Sequence, residues 1–340
     1  ELFDSVSGNE GTAVHITPHN DNQYWVDMAV SNSVPQAALK NLCRLLYVHH
    51  FDVARARLDI LPVDSSNDSV TLLRALVSPV DPDALTSQRL ELLAHELKRA
   101  KWLDPSTHEL VFERFPDLRV SRAEVLTGLM AAIQSVLAKT NPIAFSSTHI
   151  YQQVCRFIDT ASKIADLFLE RFKPSGPLSD EEFEAQCKQI EALIQSDVED
   201  TTASTMLCKM IDIVKHTLKT NVYMPDRYAL SFRLDPICME LEDESRALPY
   251  GILFVHGRRF NGFHVRFRDI ARGGMRLVTP ASAEQYSLES ARQYDECYGL
   301  AYAQQVCSFA ILSESPIVTS TNTSFRKNRV RTTAQEQGHT

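Results

Sequence analysis

A chain of 340 residues with 44% apolar and 23% charged residues has enough apolar material for substantial cores and for two or three domains. Its formal net charge of −8 and the lack of a long Lys/Arg run argue against a nucleic-acid partner, and no apolar run approaches the length of a bilayer span, so no membrane partner is expected. The seven cysteines are odd in number and never spaced as C-x-x-C, which points away from a disulfide framework or a zinc site and toward a reducing compartment.

Residues 13–17 and 24–30 are β-prone and flank a turn-rich stretch, while residues 34–49 set Ala38, Leu39, Leu42, Leu45 and Leu46 on one helical face. Strand-like runs at 51–61 and 69–77 follow. The β-β-α-β-β order of segment 1–80 resembles part of the βαββαβ pattern of ACT-type amino-acid-sensing domains, and a small α/β domain that merely packs on its neighbour fits it equally well.

Residues 81–220 read as helical. Ser121 with Glu124 has the spacing of a capping box and opens a helix bearing Val125, Leu126, Leu129, Met130, Ile133, Val136 and Leu137. A longer helix carries an apolar stripe from Ile150 to Leu169. Ser179 with Glu182 starts another, and residues 206–218 form the last. Such stripes are core rather than cofactor sites, so the methionines among them receive no functional role. His49 and His50 diverge on a helix and read as helix-end residues; His256 and His264 lack acidic or sulfur partners at ligand spacing, so no metal is expected.

Leu230, Phe232 and Leu234 alternate with polar residues in a half-buried strand. Two apolar-rich runs, 250–260 and 263–270, flank Asn261 and Gly262, which suit a two-residue type I′ turn, so a β-hairpin is expected there. Phe263, Val265 and Phe267 alternate with His264, Arg266 and Arg268. The run continues into Arg272, Gly273 and Gly274. Paired glycines let a ligand approach the backbone, and a guanidinium can grip a carboxylate with two parallel hydrogen bonds, so the combination reads as an anion site. Past Pro280, Ser282 with Gln285 opens a helix toward Gln305, and residues 309–312 could form a short strand.

FHVRFRDIARGGMRL, followed by SAEQYSLESARQYDECYGLAYAQQ, resembles the substrate-domain signature of the NAD-specific glutamate dehydrogenases of the large-subunit class, with similarity from Leu218 to Gln305. The resemblance implies oxidative deamination of L-glutamate to 2-oxoglutarate and ammonia, with NAD as hydride acceptor. It places Arg272, Gly273 and Gly274 at the substrate carboxylate. Arg272 stands where the smaller enzymes of this kind have a carboxylate-binding lysine, and Gln305 where they have a second. It also implies L-glutamate and 2-oxoglutarate as ligands, a homo-oligomer in the full-length form, and a mitochondrial location, with the cytoplasm as the alternative.

The expected fold class is therefore α+β: an ACT-like segment (1–80), a helical region (81–220), a truncated substrate domain with a mixed β-sheet (221–305), and a disordered, non-native tail (306–340). The 340 residues contain neither a G-x-G-x-x-G fingerprint nor a Gly-Gly-x-Lys motif after Gln305, so the NAD-binding domain and the catalytic lysine are expected to be absent and the chain alone inactive. A beginning at Glu1, without an initiator Met or a visible targeting segment, reads as processing or a partial gene. The competing reading is a non-enzymatic amino-acid-binding regulatory or assembly module.

Overall fold

A computed structural model of the chain describes residues 1–7, 11–63, 68–224, 227–239, 246–267, 272–279 and 283–312. Of the tail expected to be disordered from 306, residues 306–312 are instead helical, whereas 313–340 and the capping residue Ser282 lie outside the described residues. The architecture is α+β, with two antiparallel sheets separated by helices.

After a short helix α1 (Leu2–Val6) come strands β1 (Thr12–Asn20) and β2 (Gln23–Ser31), helix α2 (Pro35–Val48), and strands β3 (Phe51–Pro62) and β4 (Ser69–Pro79). This is the β-β-α-β-β order read from the sequence. The sheet order is β1-β2-β4-β3, so α2 carries the chain from β2 across β4 to β3. Alternation decides the packing: Val26, Met28 and Val30 of β2 and Leu73, Ala75 and Val77 of β4 are buried with Leu42, Leu45 and Leu46 of α2.

The helical middle comprises α3 (Ser87–Arg99), α4 (Pro105–Glu109), α5 (Val120–Leu137), α6 (Ser147–Arg156), α7 (Ile158–Arg171), α8 (Asp180–Asp197) and α9 (Thr201–Lys215). Helix α5 is its axis, with sixteen of its eighteen residues buried. It is long and apolar enough to cross a membrane by length and composition, which the sequence reading missed, but here protein surrounds it. Two further expectations need correction. The apolar stripe from Ile150 to Leu169 is shared by α6 and α7, which break at Phe157 (φ −113°, ψ 40°). The capping box at Ser121 does not form: Arg119 precedes α5, the Val120 amide donates to Glu96 at 3.2 Å, and Glu124 turns inward to buried arginines. The box at Ser179 and Glu182 does form, with both reciprocal bonds present.

Strands β5 (Thr217–Thr220), β6 (Ala229–Leu234), β7 (Gly251–Gly257), β8 (Phe260–Arg266) and β9 (Gly274–Val278) form the second sheet in chain order, followed by α10 (Ala283–Leu312). The expected mixed sheet is antiparallel throughout its described strands, because each strand pairs with its predecessor in sequence. Residues 309–312 continue α10 instead of forming a strand. One face of the sheet rests on α5, α7 and α10 through a row of aromatic contacts that runs from Phe168 through Phe232, Phe254 and Phe263 to Tyr294, with ring centroids 4.7–6.0 Å apart.

The hairpin exists, but its turn is Arg258 and Arg259, with Gly257 opposite Phe260. Asn261 and Gly262 lie inside β8 and have no positive φ. Tertiary contacts outweigh their turn preference. Asn261 is buried against His256, and a Cβ on Gly262 would sit 2.3 Å from Cδ2 of Leu277.

Candidate functional site

The expected anion site lies where β8, β9 and α10 meet. Gly274 pairs with Val265, Arg276 with Phe263 and Val278 with Asn261. As expected, Phe263, Val265 and Phe267 are buried, while Arg266 is exposed. Helix α10 is fixed over these strands by side chains that reach their backbone. The Gln293 amide donates to the carbonyls of Asn261 (2.7 Å) and Arg276 (3.0 Å), and the Cys297 thiol donates to that of Gly274 (2.9 Å). Burial pushes the Cys297 thiol up to about 11, so at neutral pH it is a packing group and a donor, not a nucleophile. Arg276 bonds Glu296 of α10 at 2.8 Å.

The glycine pair has a packing role here. A Cβ on Gly274 would lie 2.0 Å from the Cys297 carbonyl oxygen, so the missing side chain is what lets α10 reach the sheet. Gly274 is buried and offers no open surface, whereas Gly273 is half-buried and Arg272 is exposed at the entry to β9. The preceding residues 268–271 lie outside the described part, as does the side chain of Gln305, whose backbone belongs to α10. The sheet thus brings Arg272, Gly273 and Gly274 to one corner, with only Arg272 fully presented to solvent.

A family model described as the catalytic domain of bacterial NAD-glutamate dehydrogenase matches residues 189–317, which covers the second sheet, α10 and the helices leading into them. Glutamate dehydrogenase 2 of Dictyostelium discoideum is 26% identical over 335 residues, covering 90% of this chain and 32% of that protein. The NAD-specific glutamate dehydrogenase of Saccharomyces cerevisiae is 38% identical over 162 residues, 47% of this chain and 14% of that protein. That of Neurospora crassa is 46% identical over 88 residues, 26% of this chain and 8% of that protein. The chain is a relative of the NAD-specific glutamate dehydrogenases. It spans a third or less of the length of these relatives, and the similarity reaches well upstream of Leu218.

The largest concentration of buried charge lies elsewhere and had no local signature in the sequence. Glu124 of α5 accepts from Arg99 (2.5 Å) and Arg227 (2.6 Å), all three being buried, and Arg227 also donates to the Val222 carbonyl at 2.6 Å. Nearby, Asp104 caps α4 by accepting from the amides of Ser106 and Thr107 and from the Thr107 hydroxyl, and it faces Nε2 of His256 at 3.2 Å. Nδ1 of His256 lies 2.6 Å from the side-chain Oδ1 of Asn261, so both ring nitrogens have acceptors, as an imidazolium requires. Burial alone would lower the His256 pKa, but the Asp104 carboxylate and the bonds to Asp104 and Asn261 outweigh it and raise the value. Burial would likewise raise Asp104, yet His256 and Thr107 hold its carboxyl below the usual range. The pair is 152 positions apart in the chain, and its one legible hint, Asn261, reads more naturally as a turn residue.

Proposed function

We propose that the chain is part of an NAD-specific glutamate dehydrogenase and supplies the segment that holds one end of the substrate. The whole enzyme oxidatively deaminates L-glutamate to 2-oxoglutarate and ammonia, with NAD accepting the hydride. The observation that carries this reading is the exposed Arg272 guanidinium at the entry to β9, beside half-buried Gly273, within the matched residues 189–317. A guanidinium there can bind a substrate carboxylate through paired charged hydrogen bonds. Gln305 of α10 occupies the second substrate position. The full-length form is a homo-oligomer of the mitochondrion.

Neither the dinucleotide fingerprint nor the Gly-Gly-x-Lys motif occurs in these 340 residues, so this polypeptide alone is expected not to form NADH from glutamate and NAD. Turnover by the purified chain would overturn that reading. Calorimetric titration with 2-oxoglutarate tests the grip: Arg272→Ala should weaken binding about tenfold or more, the cost of one charged hydrogen bond. Unchanged affinity would remove Arg272 from the site.

The split β2-α2-β3 crossover around β4 favours a second reading for the N-terminal sheet, an ACT-like amino-acid-sensing unit.

A further inference from the structure

Between the hairpin end of the second sheet and the helices beneath it lies a cavity of about 700 Å³, within the range of roughly 300–1,000 Å³ typical of small-molecule sites. It is separate from the substrate corner. Arg259 and Val265, the partner of Gly274, are six residues apart along the chain, which is roughly 20 Å at the rise of an antiparallel strand. Met130 and Ala131 of α5, Ile150 of α6 and Phe260 of β8 provide an apolar lining. Polar groups from α4, α5, α6 and the β7–β8 hairpin also line it.

Arg258 and Arg259, the two turn residues, stand exposed at the mouth, and among the described residues no carboxylate pairs with either. The acids of the lining are already engaged: Asp104 with His256, and Glu109 with Arg114 at 2.6 Å. Tyr151 belongs to the wall, with its hydroxyl sealed from the cavity. An open apolar cavity with two cations at its rim that no described carboxylate compensates leaves an unmet demand for negative charge.

We propose that this cavity binds a small organic anion with an apolar body. Its acid group sits on Arg258 and Arg259, and its body lies against Met130, Ala131, Ile150 and Phe260. The proposal is independent of the glutamate reading, because it uses neither Arg272 nor the β9 corner.

Fluorescence titration of the 340-residue chain with anilinonaphthalene sulfonate, and in parallel with its uncharged parent phenylnaphthylamine, tests it. The sulfonate should saturate at one site per chain. Arg258→Ala with Arg259→Ala should weaken the sulfonate about tenfold or more while leaving the uncharged parent within about twofold, because only the acid group loses its partners. Met130→Trp, which fills the cavity, should abolish binding of both, with circular dichroism reporting whether that variant folds. The arginine variant alters only exposed turn residues and stands as the test if the tryptophan variant does not fold. Equal weakening of both probes by the arginine variant, or no change in either, would overturn the proposal.

Discussion

The two sheets share an antiparallel plan and both pack on helices, but they keep their charges in different places. The N-terminal sheet buries mainly apolar side chains against α2, with no charged residue among them, and its ion pairs lie outside: Arg74 with Asp27 at 3.3 Å and Arg57 with Asp59 at 2.8 Å. Its buried charge is confined to the base, where His49 meets Glu96 at 2.7 Å. The second sheet docks on the helices through an aromatic row and through two buried charge networks, Glu124 with Arg99 and Arg227, and Asp104 with His256. Apolar burial holds an element in place but tolerates sliding. Buried charges that must meet particular partners fix its position, because a misplaced one remains desolvated and unpaired.

If that contrast is right, its largest consequence is at Glu124. Replacing it by Ala leaves two buried guanidiniums facing each other, and chemical denaturation should show a loss of about 3–5 kcal/mol. A loss below about 1 kcal/mol would mean that the arginines find other acceptors and that the network does not position the sheet.

The Asp104 and His256 pair makes a pH-dependent version of the same test. His256 has a folded pKa above its ordinary 6.5, so the folded state retains a proton that the unfolded state has lost. Its stabilisation is full below that ordinary value and disappears as pH rises through the folded one. Asp104 has a folded pKa below its ordinary 3.8, so its contribution is full above 3.8 and disappears as pH falls through the folded value. Thermal melts across pH should therefore show the pair contributing most between these limits. Asp104→Asn should flatten the alkaline fall, and an unchanged profile would count against a charged pair.

Gly274→Ala probes packing at the β9 corner. With the Cys297 carbonyl where the Cβ must go, α10 has to shift, at a cost of about 1–3 kcal/mol by denaturation. A neutral outcome would return the glycine to a ligand-approach role. The smallest effect belongs to the N-terminal sheet: Arg57→Ala removes an exposed pair and should change stability by no more than about 0.5 kcal/mol.

Where periodicity carried the information, the sequence was legible. The β-β-α-β-β order, the buried set of α2, the Ser179 cap and the inward face of Phe263, Val265 and Phe267 all follow from alternation or from short-range spacing. The failures share one cause. Ser121 with Glu124 and Asn261 with Gly262 have strong local preferences, for a cap and a turn respectively, yet contacts outside those motifs took them up: Glu124 bonds Arg227, 103 positions away, and Asn261 bonds His256 across the hairpin, which in turn faces Asp104, 152 positions away. At the entry to β9, Arg272 with two glycines was legible as a motif, but Gly274's contact with the α10 backbone was not.

The amino-acid order by itself determined the strand and helix faces, the kinship with NAD-specific glutamate dehydrogenases and the absence of a dinucleotide fingerprint from these residues, since each is a property of neighbours in the chain or of short motifs. Only the tertiary structure decided which arginines meet Glu124, that His256 faces Asp104, where the hairpin turns, and that an apolar cavity opens beside Arg258 and Arg259. Those outcomes depend on which groups lose water together. Desolvation couples residues by proximity in space, which local pattern does not encode.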